Sequence, residues 1–412
     1  VRQIIEAGIT DVVVSPGSRN APLSLAFFAA SKRGLIKLHV RIDERTAAFF
    51  ALGIIKASGR PVPIVCTSGT AVANYHPAVL EASHTNAPLL VLTADRPAIL
   101  RKTGANQTTE QARIYGKAVR YFADIDGPVF PMELPFDSLR SGPVHLNVQF
   151  DEPMLPDDSD KWLDEIVISA KAFESRTKPT TLKSDASRGV LVIGHDRGGL
   201  NIESVRKFAK ELGWPIIAED PLSFPDAVAH ASIFLTSAQI RAALIPQTVI
   251  VIGRTTLSRS INTFLKLAPT QIVIDPRMAT VDSDRYADKR FTQIPELNTH
   301  KASPEWLEQW EKYSLRCGKS VDGLTGFTEA VIAREIAANL PDGSTLFVSS
   351  SRPIRDLEGF AAPRTGVTTH ANRGLAGIDG NISTALGIAC ASKQTFAVLG
   401  DLSFLHDLTG LI

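Results

Sequence analysis

PVPIVCTSGTAVANYHPAVLEASHTNAPLLVLT, residues 61–93, decides the fold. Its ends, 62–66 and 89–93, are short aliphatic runs of strand length, and 71–82 between them reads as a helix. Two such runs joined by one helix form a β-α-β unit, whose strands pair in parallel. The same alternation extends outward. Further strands are predicted at 11–15, 37–41 and 144–148, and further helices at 21–31, 44–57 and 110–115. A polar, proline-bearing stretch follows from 151 to 188. A second block then carries strands at 189–193, 215–218, 248–252 and 271–274 and helices at 202–212 and 261–267, with 298–326 connecting or covering. A third block has helices at 328–339 and 382–391 and strands at 345–349, 366–369 and 396–399. The fold class is therefore α/β, with three doubly wound parallel-sheet domains. The last has few elements for a sheet, so it is expected to be truncated. Boundaries are set at 1–155, a linker 156–188, 189–300, a connector 301–326, and 327–412.

Composition narrows the function classes. The chain has 412 residues, 44% hydrophobic and 21% charged, which fits a globular protein of two to four domains and argues against disorder. Its formal net charge is +1, so no global field draws it to nucleic acid or an anionic membrane. Anions must be recognised by locally placed arginines. Three cysteines, Cys66, Cys317 and Cys390, are too few and too scattered for a disulfide framework or a cysteine zinc site, and a reducing cytoplasm is expected. No apolar run reaches the ~18 residues of a membrane span. Both ends, at Val1 and Ile412, read as cut.

GHDRGG at 194–199 lacks the spacing of a dinucleotide turn and reads as a strand-to-helix loop, and CGKS at 317–320 has Tyr313 where a phosphate loop needs its first glycine. SPGSRN at 15–20, TSGT at 67–70 and TADRP at 93–97 each follow a predicted strand. Each alone is a β-to-α turn, but three polar turns on one sheet edge favour a site. Glu44 opens a helix, where an acid ordinarily complements the helix dipole. Gly400-Asp401 closes a strand, a position from which an aspartate can hold a hard cation or merely form a turn. ANRGLAGIDG at 371–380 places one arginine and three glycines in a loop that lets backbone approach a phosphate or carboxylate.

Eight segments occur together and in order: SPGSRNAPL (15–23), RIDERTAAFFALG (41–53), CTSGTAVANYHPAVLEA (66–82), LTADRP (92–97), GANQT (104–108), SSSRPIRDLE (349–358), ANRGLAGIDGNISTALG (371–387) and GDLSFLHDLTGL (400–411). This set resembles the MenD family, the thiamine-diphosphate-dependent 2-succinyl-5-enolpyruvyl-6-hydroxy-3-cyclohexene-1-carboxylate synthases of menaquinone biosynthesis. The resemblance implies that 1–155 is a pyrimidine-binding domain, 189–300 a central transhydrogenase-like domain and 327–412 a diphosphate-binding domain. It implies that Glu44 is catalytic, exchanging a proton with the cofactor's aminopyrimidine ring. Nearby Phe49 and Phe50 would raise its pKa toward that task. Thr67, Ser68, Gly69, Pro77, Gly400 and Asp401 would also bind thiamine diphosphate, and Asp401 would ligate a bridging Mg²⁺ or Mn²⁺.

Both substrates that the resemblance implies, 2-oxoglutarate and isochorismate, are dicarboxylates, for which planar guanidinium groups are natural receptors. Matching positions are Ser18, Arg19, Arg96, Asn106, Gln107, Arg259, Ser351, Arg355 and Arg373. Arg259 and Arg355 would otherwise read as a solvated helix face. The implied enzyme is a transferase, a carboligase that decarboxylates 2-oxoglutarate and adds the succinyl-semialdehyde carbanion to isochorismate. Its rivals are another thiamine-diphosphate 2-oxo acid decarboxylase, an acetohydroxyacid-type synthase, or a catalytically dead ligand-binding homologue. A homodimer at least, possibly a homotetramer, is implied, with no nucleic acid partner. Three features depart from the family pattern: Thr409 stands where asparagine is frequent, Arg352 replaces an apolar residue, and 124–142 is short for a crossover helix.

Overall fold

The computed structural model describes residues 1–127, 133–156, 159–169, 180–277 and 287–412. The chain divides into two compact units. The first comprises Val1–Arg176, Gly374–Ser392 and Asp401–Ile412, and the second comprises Thr177–Arg373 and Lys393–Gly400.

The first unit is built on six strands, β1 (Asp11–Val14), β2 (Lys37–Val40), β3 (Val62–Cys66), β4 (Leu89–Asp95), β5 (Tyr121–Ile125) and β6 (Val144–Gln149). They form one parallel sheet in the order β2-β1-β3-β4-β6-β5. β1, β3 and β4 are buried at every residue, as expected of parallel strands covered on both faces. Phe49, Leu52 and Tyr75 belong to one core cluster of this unit, and Ile5, Phe27 and Leu146 to another. The chain passes from β1 to β2 on one side and then to β3 on the other. This reversal opens a crevice at the carboxyl ends of β1 and β3, where open α/β sheets bind ligands.

The helix Glu44–Ser58 starts at Asp43, whose carboxylate accepts the amides of Arg45 and Thr46, and stops at Gly59 with φ +68°. Thr46 through Ile55 are all buried, more than one sheet face explains. The second cover is the helix Asn381–Ala389 of the same unit. Gly53 and Gly387 let the two backbones touch: added Cβ atoms would lie 2.1 Å from the Thr384 carbonyl oxygen and 2.0 Å from that of Phe50.

In the second unit, β7 (Thr181–Ser184) pairs in parallel with β13 (Glu296–Thr299). β8 (Gly189–Ile193), β9 (Ile216–Ala218), β10 (Thr248–Ile252), β11 (Thr270–Ile274) and β12 (Lys289–Phe291) form a parallel sheet in the order β12-β11-β10-β8-β9. β14 (Ser344–Val348), β15 (Val367–His370) and β16 (Thr395–Val398) form a third, in the order β15-β14-β16. Its reversal brings the loops after β14 and β16 side by side, and the Gly400 amide donates to Ser349 Oγ over 3.3 Å.

Local differences from the sequence reading have physical causes. The helix expected at 71–82 is two, Thr70–Asn74 and His76–Thr85, because Pro77 has no amide to donate and its ring crowds the carbonyl four residues back. No helix forms at 110–115, where Arg113 takes φ +59° and Gly116 φ +50°. Within 156–188 lies β7, and within 301–326 the helix Pro304–Asp322 sinks Trp306 and Trp310 into the core of the five-stranded sheet. The short stretch 124–142 suffices because β6 inserts between β4 and β5, with the helix Phe136–Leu139 on the way. CGKS at 317–320 lies inside a helix, as its rejection as a phosphate loop requires.

Candidate active site

At the crevice of the first unit, the turns after β1 and β3 are in contact. A Cβ on Gly17 would lie 2.5 Å from Thr67 Cβ, so a side chain there would part the two turns. Gly69 turns the chain at φ +82°, ψ −132°. Ser68, fully buried, donates from Oγ to the Gln107 carbonyl over 2.9 Å and accepts from Arg96 Nη1 over 2.6 Å. Arg96 Nη1 also reaches the Gln107 carbonyl at 2.7 Å, and Gln107 Nε2 donates to the Ser68 carbonyl at 3.0 Å. Four sequence candidates, Ser68, Gly69, Arg96 and Gln107, are thus one cluster. Arg19 donates to the Phe150 carbonyl over 3.0 Å. Burial, with the nearby Arg19 charge, holds the Arg96 guanidinium below its ordinary value, partly offset by Asp95, and Arg19 itself faces Glu152 at 4.0 Å. Ser18 and Asn106 are exposed on the adjoining turns.

Glu44 opens its helix, half-buried, and Asn74 Nδ2 donates to its Oε2 over 3.2 Å. Phe49 and Phe50 do not shield it. Five and six residues on, they lie about 140° and 120° around the helix and point into the core. The inward neighbours of Glu44 are instead Cys66 and Tyr75, both fully buried. Burial, aided by the Glu44 charge, pushes the Cys66 thiol and the Tyr75 phenol well up, so both stay neutral. Tyr75 Oη and Ser15 Oγ lie close together with the Cys66 thiol, all buried, and neither hydroxyl has a well-formed hydrogen-bond partner. Buried hydroxyls so weakly satisfied beside a carboxylate fit a site that a polar ligand completes. Pro77 is half-buried in the first turn of the next helix.

The second unit presents a counterpart. Ser351 follows β14 and opens the helix Arg352–Phe360 with φ +77°, ψ −126°, nearly the conformation of Gly69. In a serine this costs of order 1–3 kcal/mol, and strain of this kind gathers at functional sites. Ser351→Gly is therefore expected to stabilise the protein by about 1 kcal/mol in denaturant unfolding. An unchanged or lower stability would remove the strain argument. Arg373, only 6% exposed, donates to Ser350 Oγ at 3.2 Å and Thr256 Oγ1 at 2.8 Å. Glu219, whose carboxyl burial pushes up, holds the Thr256 and Leu257 amides at 2.7 and 2.8 Å and so fixes the loop under Arg373. Arg259 and Arg355 are exposed at or near the starts of their helices.

Asp401 opens a short helix and is exposed, its Oδ1 accepting the Leu402 amide. The segment it begins belongs to the first unit and reaches the helix of Glu44. Thr409 Oγ1 donates to Asp43 Oδ2 over 2.9 Å, and Arg45 Nη2 to the His406 carbonyl over 3.0 Å. Among the described residues no three histidine, cysteine or acidic side chains gather into a metal cage. A single free-standing carboxylate suits Mg²⁺, which keeps several waters and is commonly held by one or two carboxylates plus phosphate oxygens.

Residues 1–114 match the thiamine pyrophosphate enzyme N-terminal TPP binding domain, and residues 156–348 match the middle domain of thiamine pyrophosphate enzymes. The chain is 40% identical to a 2-succinyl-5-enolpyruvyl-6-hydroxy-3-cyclohexene-1-carboxylate synthase of Nocardioides sp., over 99% of this chain and 77% of that protein. Proteins of the same name from Thermobifida fusca and Lysinibacillus sphaericus are 37% and 35% identical, each over 100% of this chain and 79% of theirs. The chain belongs to the 2-succinyl-5-enolpyruvyl-6-hydroxy-3-cyclohexene-1-carboxylate synthase family. For a synthase of this family the α/β fold of parallel sheets is as the motifs implied. Among the described residues, no helix is long and apolar enough to cross a membrane.

Proposed function

We propose that this chain catalyses a carboligation in which 2-oxoglutarate loses CO₂ and its remaining four-carbon unit joins isochorismate to give 2-succinyl-5-enolpyruvyl-6-hydroxy-3-cyclohexene-1-carboxylate. The observation that carries this reading is the gathering of Glu44, the Ser68–Gly69 turn and the Arg19–Arg96 pair at the carboxyl edge of one sheet. Thiamine diphosphate, when bound, supplies the electron sink for loss of CO₂. The carboxyl of Glu44 exchanges a proton with the cofactor's ring nitrogen, oriented by Asn74 at Oε2. Thr67, Ser68, Gly69 and Pro77 line the cofactor's pyrimidine side. Gly400 and Asp401 would hold its diphosphate end, and Asp401 would be the ligand for Mg²⁺ or Mn²⁺.

For substrate carboxylates the first unit offers Arg19 and Arg96 with Ser18, Asn106 and Gln107, and the second unit, taken by itself, offers Arg259, Arg355 and Arg373 with Ser351. The working form is a homodimer or larger in the cytoplasm, with functional segments 1–155, 189–300 and 327–412. Arg355 offers the sharpest test. If it holds the distal carboxylate of 2-oxoglutarate, Arg355→Ala removes a charge-assisted pair of roughly 1.5–3 kcal/mol. The KM for 2-oxoglutarate should then rise at least about tenfold, while slow turnover of pyruvate, which lacks that carboxylate, stays nearly unchanged. Equal losses for both acids would take Arg355 out of substrate recognition.

A further inference from the structure

Behind the Gly69 turn lies Gln111, 1% exposed and outside every motif used above. Its Oε1 accepts the Gly69 amide over 3.1 Å. Its Nε2 donates to the Ala94 carbonyl at 2.9 Å and to Asn147 Oδ1 at 2.8 Å. One side chain thus joins the turn after β3, the end of β4 and the middle of β6.

The direction of each bond is dictated from further back. Arg101 pairs with Asp95 at 2.8 Å and with Asp124 at 2.6 Å. Both carboxylates can only accept, so Asn147 must turn its Nδ2 to them, at 3.0 and 2.8 Å. Asn147 Oδ1 is then left for Gln111 and for Thr93 Oγ1, which donates to it at 2.8 Å. Having given its proton there, Thr93 accepts from His145 Nε2 at 2.7 Å. His145 is neutral, its pKa lowered by burial to about 3. With Asn147 Oδ1 and the Ala94 carbonyl both acceptors, Gln111 must present its NH₂ to them and its oxygen to Gly69. Only a primary amide of this length satisfies all three contacts.

We propose that Gln111 is a positioning residue that fixes the Gly69 turn, and through Ser68 the Arg96–Gln107 cluster, for cofactor and substrate together. The proposal rests on the reading of that turn as a thiamine diphosphate contact. Gln111→Glu keeps the shape but sets a carboxylate against two acceptors, and Gln111→Met keeps the length with no polar atoms. If the first fails to fold, the second carries the test.

Two readouts are needed. In cofactor-free protein, amide hydrogen exchange over 66–70 and 104–112 should accelerate at least about tenfold while β10 and β11 keep their protection. In thiamine diphosphate titrations the dissociation constant should rise about tenfold or more, with kcat at saturating cofactor within about threefold of the parent. Unchanged local exchange, or exchange raised equally everywhere, would overturn the proposal, as would an unchanged dissociation constant. A parent protein that bound no thiamine diphosphate would instead defeat the functional reading, and the exchange measurement would still decide whether Gln111 holds the turn.

Discussion

Glu44→Gln is expected to lower kcat by about 10²–10⁴-fold, the usual contribution of a positioned acid–base group, while leaving the fold intact. The substitution is isosteric. A glutamine carbonyl can still accept from Asn74 Nδ2, which the structure places 3.2 Å from Oε2, so the side chain need not move. What is lost is the exchangeable proton. Thiamine diphosphate titration should show retained binding, and exchange of the cofactor's thiazolium proton should slow in step with turnover. Near-parental exchange in Glu44→Gln would remove Glu44 from the chemistry.

Gly53→Ala is expected to destabilise the first unit by about 2 kcal/mol, the upper end of overpacking less the gain in helix propensity. The added Cβ would stand 2.1 Å from the Thr384 carbonyl oxygen, 2.8 Å from Gly387 Cα and 2.9 Å from the Ile388 nitrogen. All three are backbone atoms, so no rotamer change relieves the clash and the helices must part. Overpacking ordinarily costs ~1–3 kcal/mol, and occasionally more. Alanine's better helix propensity returns about 1 kcal/mol. Denaturant unfolding monitored beside hydrogen exchange over 381–389 should show a lower midpoint and lost protection in that helix. A midpoint unchanged within about 0.5 kcal/mol would mean that the close approach of the two helices is not maintained in solution.

The sheets were legible in the sequence because their strands are continuous apolar runs buried on both faces. β3, β8 and β10 match the predicted spans residue for residue. β5 and β7 were missed for the opposite reason. Tyr121–Ile125 has no buried residue and lies at a sheet edge, and Thr181–Ser184 has one buried residue in four. In the site, the turns after β1, β3 and β4 could be read because a strand's end announces itself. Asn74 could not, since nothing in the spacing ties it to Glu44 thirty residues earlier. Gln111 was hidden in a stretch that looked helical, because its role is set by the orientation of Asn147, which depends on a buried ion cluster rather than on local pattern. Ser350 and Thr256, the partners of Arg373, were likewise invisible until the fold brought them together.

Joining two substrates, rather than only cleaving one, is the activity proposed for this protein. It is tested most directly by supplying purified protein with thiamine diphosphate, Mg²⁺, labelled 2-oxoglutarate and isochorismate, and measuring CO₂ and the succinylated cyclohexene product together. The account predicts equimolar CO₂ and product, with CO₂ release falling to a small residual rate when isochorismate is left out. Rapid CO₂ release without isochorismate, accompanied by free succinic semialdehyde, would contradict it.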